Sequence, residues 1–161
     1  MIELTYEHLN QSFAIDMASI WADPDVIYYT NIKAPCSADE TQARICRLES
    51  MEIYIVQRSR KTIGIIGCPC LDTSANSFGL FYQFRKDSWG NGYATQAVQW
   101  MLQLMKNKYP GCKIFADVVE SNQASVKILR HFGFQLIAKE KTFIRGGVKM
   151  SILNYMLDFP Y

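Results

Sequence analysis

Two glycines one residue apart, Gly90 and Gly92, stand between a strand-like run and the longest helical pattern in the chain. Upstream, Ser77 to Phe84 is rich in β-forming and aromatic residues and reads as a strand. Downstream, Ala94, Ala97, Val98, Met101, Leu104 and Met105 recur at helical spacing between Gly92 and Lys108. Tyr109-Pro110-Gly111 then stops the helix. A strand that runs through a glycine turn into an amphipathic helix belongs to an α/β architecture. The junction also has chemical meaning. Glycine permits positive φ and close approach of backbone to a ligand. A helix that begins there points free N–H groups and the positive end of its dipole outward, which suits a phosphate or pyrophosphate. Ala94 keeps the first turn narrow. A tight turn that needs glycine only for geometry is the competing explanation. The pair is no dinucleotide fingerprint, because the sixth position counted from Gly90 is Thr95, and no Gly-Lys-Ser/Thr triplet forms a Walker loop.

The remaining elements follow from periodicity and punctuation. Ile2 to Tyr6 alternates like a strand. Phe13, Met17 and Ile20 mark a helix from Gln11 to Trp21, which Asp23-Pro24-Asp25 breaks. Ser37-Ala38-Asp39-Glu40 reads as a capping box for a helix to Glu49, with Ala43, Ile45, Cys46 and Leu48 as its apolar positions. Ile53–Gln57 and Thr62–Cys68 form a hairpin around a polar turn, and Ser77–Phe84 completes a meander after the loop Asp72–Asn76. Lys113–Val119 is a strand. Asn122 caps a helix that ends at Phe132, with Gly133 as its left-handed stop. Two last strands, Phe134–Ile144 and Val148–Leu157, flank Arg145-Gly146-Gly147. The order β-α-α-β-β-β-α-β-α-β-β implies an α/β domain with a mixed sheet.

Composition narrows the function classes. A chain of 161 residues with 49% hydrophobic residues builds one domain with a full core. The net charge of +2 comes from scattered Lys and Arg, with no basic stripe for nucleic acid. No apolar run approaches the roughly 20 residues of a membrane span. The N-terminal Met1-Ile2-Glu3-Leu4-Thr5 has no leader pattern, and a cytoplasmic setting is expected. Five cysteines, an odd number, suggest reduced thiols. Cys68-Pro69-Cys70 lacks a second ligand pair, so no metal is expected, and the two thiols read as small buried hydrophobes in or beside a strand.

Trp89-Gly90-Asn91-Gly92-Tyr93-Ala94-Thr95 resembles the Q/R-x-x-G-x-G/A loop of the GNAT acetyltransferase superfamily, with Trp in the Q/R position. The W-G-x-G-Y-A-T form is similar to the RimJ/RimL-like branch, which acetylates protein α-amino groups and related amines. Asn122-Gln123-Ala124-Ser125, with Leu129 and Phe132-Gly133-Phe134, resembles that branch's N-x-A-S…L-x-x-x-G-F, and Asp23-Pro24-Asp25-Val26 its "DPEV". The resemblance spans nearly the whole chain. It implies a GNAT-like, mostly antiparallel sheet of about seven strands flanked by about four helices. It implies acetyl-CoA as co-substrate, with the CoA pyrophosphate on the backbone of Trp89, Gly90, Asn91, Gly92, Tyr93, Ala94 and Thr95. The strand backbone near Gln83 and Phe84 would pair with the pantetheine arm, as would Asn122. Ser125 would lie near the thioester sulfur. Asn122 is also a good N-cap in its own right, and Ser125 also suits a first helical turn. The acceptor would be a primary amine, on a protein N-terminus or a small molecule, and the protein a monomer or homodimer. Tyr28, Tyr29 and Arg145 are candidate acceptor contacts.

The implied chemistry is direct attack of a neutral amine on the thioester. It needs a base or an already neutral amine, an oxyanion donor such as a strand N–H, and a proton for the thiolate. Many relatives carry Glu where this chain has Gly79, and A-T-E-A is Ala94-Thr95-Gln96-Ala97 here. That removes an obvious base and leaves open an acyl-CoA-binding module without catalysis. Glu120 could substitute through a water, although a solvated carboxylate at a strand end is the plainer role. Tyr82 is the remaining hydroxyl on the strand, with packing as its plainer role. A base is dispensable for some acceptors: roughly a quarter of an α-amine is neutral at physiological pH, against roughly 0.1% of a lysine amine.

Overall fold

The computed structural model describes residues 3–160. Nine strands form two sheets. In the first, β1 (Thr5–His8), β2 (Ile53–Arg58), β3 (Lys61–Gly67) and β6 (Phe81–Phe84) lie in that order, every pair antiparallel. In the second, the order is β4 (Cys70–Asp72), β5 (Ser77–Gly79), β7 (Lys113–Val119), β9 (Val148–Asp158) and β8 (Gln135–Arg145), with β5 and β7 parallel. The helices are α1 (Ala14–Trp21), α2 (Pro24–Ile27), α3 (Ala38–Leu48), α4 (Tyr93–Lys108) and α5 (Gln123–His131). Among the described residues no helix is long and apolar enough to cross a membrane.

The expected Ser77–Phe84 strand is divided. Its first half, β5, pairs with β7, and the Leu80 N–H still donates to the Phe115 carbonyl at 2.8 Å. Beyond Leu80 the chain leaves β7, and β6 pairs only with β3. One edge of β6 is therefore free, and the two sheets part along it. This division and the short β4 raise the strand count above the seven expected. The first strand runs Thr5–His8, later than the expected Ile2–Tyr6, and Ile2 lies outside the described residues. Pro24 ends α1 as expected but also opens α2, a single extra turn capped by the Asp23 carboxylate.

The first sheet is buried on both faces at β3, which explains the unbroken apolar run of that strand. Ile53, Ile55 and Ile65 pack with Met17, Ile20, Trp21 and Ile45 under α1 and α3. Val56, Ile66 and Phe84 pack with Ala97, Val98, Met101 and Met105 under α4 and with Val126 and Leu129 of α5. Gly64 lets β6 lie close: a Cβ there would sit 2.6 Å from the Phe84 ring and 2.7 Å from the Gln83 carbonyl. Ser37 caps α3 through the Glu40 N–H at 3.1 Å, as the capping box predicts, but Ala43 and Cys46 of that helix are exposed. Cys68 is buried, whereas Cys70 is exposed on β4, so only one thiol of the Cys-Pro-Cys run packs as a hydrophobe.

Candidate active site

The free edge of β6 defines the site. In an antiparallel ladder, successive residues turn their backbone groups alternately toward and away from the partner strand. Arg85 donates its N–H to the Ile63 carbonyl of the neighbouring strand at 2.8 Å. Gln83 therefore faces β3 as well, and Tyr82 and Phe84 face outward. The Phe84 carbonyl is already bonded to the Trp89 indole N–H at 2.9 Å. The outward groups left are both backbone groups of Tyr82 and the N–H of Phe84. The expected pairing position thus moves from Gln83 to Tyr82. Gln83 instead presents its side chain to the other face, where its Oε1 accepts from the Trp21 indole at 2.6 Å.

The glycine loop has the anticipated form. Gly90 and Gly92 both adopt φ of +77°, and a Cβ on either would meet no atom within 4 Å. Gly92 is the N-cap of α4 and has no side chain to satisfy the first-turn N–H groups. The sixteen-residue helix therefore presents its amide dipoles outward in an open concavity, the donor geometry of a polyanion site. Asn91 braces the loop by donating to the Ser88 and Trp89 carbonyls at 3.0 and 3.1 Å. Trp89 is half-exposed, and its indole ties the loop to the end of β6. Tyr93 is buried under the Arg58 guanidinium, 5.5 Å from its ring centre. Ala94 and Thr95 are half-buried in the first turn.

Across the gap, α5 brings its first turn to β6. The Tyr82 hydroxyl donates to Ser125 Oγ at 3.0 Å, although the residues are 43 apart in sequence. Burial pushes the Tyr82 phenol above its ordinary value, and the bond to Ser125 offsets only part of that. The phenol is therefore protonated at neutral pH and donates, which leaves the Ser125 proton free for another acceptor. Asn122 acts as the cap: its Oδ1 accepts from the Ser125 N–H at 3.4 Å. Glu120 stands apart from this pair. Its half-exposed carboxylate is held by Lys139 at 2.8 Å.

On the other side of β6, side chains from separate segments come together. Tyr28 and Tyr29 are partly exposed and meet edge to face, 4.9 Å apart. Arg145, at the tip of the β8–β9 hairpin, donates to the Thr30 and Ile32 carbonyls, each at 2.6 Å. It serves as a strut across the loop after α2, with its guanidinium committed to backbone. The contact from Trp21 to Gln83 was not anticipated. A tryptophan next to the break at Asp23 was the only hint, and nothing local to either residue pairs them.

Known proteins share this fold. A curated relative, the uncharacterized N-acetyltransferase p20 of Bacillus licheniformis, is 24% identical over 140 residues, covering 82% of this chain and 79% of its own. Spermidine N-acetyltransferase from Vibrio cholerae, solved with CoA and spermine, superposes with a TM-score of 0.87 at 16% identity, over 97% of this chain and 95% of its own. The RimL ribosomal L7/L12 α-N-protein acetyltransferase, solved with coenzyme A, gives a TM-score of 0.85 at 13% identity, over 97% and 94%. Identities this low carry the fold alone. The family model for the acetyltransferase (GNAT) domain matches residues 3–135, and by that match the chain belongs to the GNAT acetyltransferase family.

Proposed function

We propose that the protein transfers an acetyl group from acetyl-CoA to a primary amine of low pKa, foremost a peptide or protein α-amine, by direct attack in a ternary complex. The single observation that carries the reading is the Tyr82–Ser125 hydrogen bond across the free edge of β6. It favours an active enzyme over a bare acyl-CoA-binding module, since simple binding has no use for a buried, protonated phenol aimed at a serine. The backbone of Gly90 to Thr95 holds the pyrophosphate, and the outward Tyr82 carbonyl and Phe84 N–H hold the pantetheine arm as an added strand would. Asn122 retains its amide N–H groups for the same arm. The bound thioester supplies an activated acyl carbon and a thiolate leaving group.

The chain's own groups supply three services. The Tyr82 N–H points outward at the edge where the carbonyl oxygen would gather charge. Ser125 donates a hydrogen bond to the departing thiolate, the Tyr82 phenol donates to Ser125 Oγ behind it and strengthens that bond, and the thiolate takes its proton from water. The α1–α3 side admits the amine. The N–C bond forms as the C–S bond breaks, and the ammonium proton passes to water. With Gly79 in place of a carboxylate and Glu120 engaged by Lys139, the amine's own ionisation sets the pH dependence.

The test is acetyl-CoA turnover over a panel of N-terminal peptides and small amines, with products identified by mass. kcat/KM should rise with an apparent pKa that moves with the acceptor's. A fixed pKa near the histidine range that disappears in Glu120→Gln would make Glu120 the base. No transfer to any amine despite measurable CoA binding would leave the binding module.

A further inference from the structure

From the Arg44–Trp21–Gln83 stack beside the free-edged strand, we propose that the acceptor carries an anionic group, a carboxylate or a phosphate, near the amine, and that Arg44 is the residue that selects it. This rests on the acyl-transfer reading above and names the substrate class of that same site.

Arg44 lies on α3 beside the buried Ile45, on the face turned toward α1. Its guanidinium carbon sits over the Trp21 ring, 5.5 Å from the centroid. Trp21 is fully buried, and its indole N–H donates to Gln83 Oε1 on β6 at 2.6 Å. One aromatic ring and the Gln83 side chain thus link the cation to β6. The Arg44 Nε–H is buried and makes no hydrogen bond. Among the described residues no carboxylate pairs with Arg44. The acids of α1 and α2 are otherwise engaged: Asp16 accepts from the Thr62 hydroxyl, Asp23 caps Asp25, and Asp25 pairs with Lys86.

The Nε–H is covered, but Arg44 as a whole is only half-buried, and a guanidinium held flat on a ring in one orientation offers its remaining N–H groups to an oxyanion. The second guanidinium on this side has the same electrical character. Among the described residues Arg145 bonds only to the carbonyls of Thr30 and Ile32, and no carboxylate there pairs with it. The Cys36 N–H ties that loop back to the Trp21 carbonyl at 3.2 Å, so both cations border the same structure. Asp16 and Asp23 keep their charge as well, but among the described residues neither pairs with a guanidinium, so two arginines without a carboxylate partner favour an amine that bears an acid over a polyamine.

The decisive experiment is a matched series with the full-length protein: β-alanine against β-alaninamide, O-phosphoethanolamine against ethanolamine, peptides that differ only by Asp or Asn at the second position, and spermidine. Rates are compared per neutral amine, and products are read by chromatography because Cys46 and Cys70 are exposed and would react with thiol reagents. The anionic member should win each pair by at least about tenfold in kcat/KM, the span of a charged hydrogen bond. Arg44→Gln should lower the anionic-to-neutral ratio at least about tenfold, whatever it does to the absolute rates, and Arg44→Lys should restore part of it. The phosphate and carboxylate arms separate the two kinds of anion. Preference for spermidine or for neutral acceptors would overturn the proposal. So would an Arg44→Gln loss that is equal for all acceptors, which would mark the residue as packing only. Absence of transfer to every member by the wild type would instead sink the acyl-transfer reading.

Discussion

The two sides of β6 are built by different means. On the α4–α5 side, the candidate cofactor cradle uses backbone from one contiguous loop and one strand edge, with Gly90 and Gly92 held at positive φ. On the α1–α3 side, the candidate acceptor mouth uses side chains from separate segments: Trp21, Arg44, Gln83 and Arg145. A backbone cradle tolerates variation in side chains and asks for glycine at a few positions. A side-chain mouth can be rewritten by single substitutions while the cradle stays as it is. This division suits a fold that keeps one co-substrate and changes acceptors.

Changes on the first side should therefore be felt for every acceptor. Gly92→Val is the largest. A branched residue at φ +77° is strained, and its side chain enters the open concavity at the head of α4. CoA affinity by titration calorimetry should fall about 100-fold or more, since most of the phosphate contacts are displaced. The thermal midpoint should drop by only several degrees, about what ~1–2 kcal/mol of backbone strain removes. Gly92→Asn, which accepts the left-handed region, should lose less. Unchanged CoA affinity in the valine variant would break the assignment of the cradle.

The Tyr82–Ser125 bond lies where the two sides meet and sharpens the comparison. Ser125→Ala and Tyr82→Phe should each lower kcat about tenfold or more, with the KM for acetyl-CoA nearly constant, because sulfur bears charge mainly in the transition state. The double variant should resemble the worse single one if the two hydroxyls act as a unit. Additive losses in steady-state kinetics would separate their roles.

A control belongs to neither side. Glu52 begins the strand pair far from the cleft and receives hydrogen bonds from Tyr109 and Tyr54 at 2.8 and 2.9 Å, together with an ion pair from Lys108. Burial pushes its carboxyl up, but the bonds from Lys108, Tyr109 and Tyr54 outweigh that and leave it below its ordinary 4.5. A depressed carboxyl contributes stability that is present above the unfolded value and lost as pH falls through the folded one. Wild-type stability should therefore fall more steeply than that of Glu52→Gln below about pH 4.5 in denaturant titrations. At neutral pH the variant should be less stable by about 1 kcal/mol and keep wild-type kcat.

Glu120→Gln should have the smallest effect. The carboxylate is half-exposed and paired with Lys139, and surface pairs of this kind contribute roughly 0–1 kcal/mol. Activity should stay within about threefold at every pH. A loss beyond the roughly 100-fold floor of a general base would return Glu120 to the chemistry and make the α1–α3 side only half of the acceptor mouth.

The glycine cradle, the caps at Ser37 and Asn122, the β2–β3 hairpin and the left-handed stop at Gly133 were all legible in the residues themselves. Each depends on groups within a few positions: the sign of φ, the nearest free N–H, the spacing of apolar side chains. The break at Leu80 was not legible. Its flanking strands look alike, and which partner each half takes depends on where β3 and β7 stand. Nor were the contacts that assemble the site, from Tyr82 to Ser125, from Trp21 to Gln83, and from Arg145 to Ile32, which span 43, 62 and 113 residues. By itself the sequence determined the main helices and strands and the left-handed turns at Gly90 and Gly92, but not the extra turn α2, the short β4 or the division at Leu80. Tertiary structure alone decided which distant side chains meet across the parted sheets, because those partners are chosen by packing and carry no local signal.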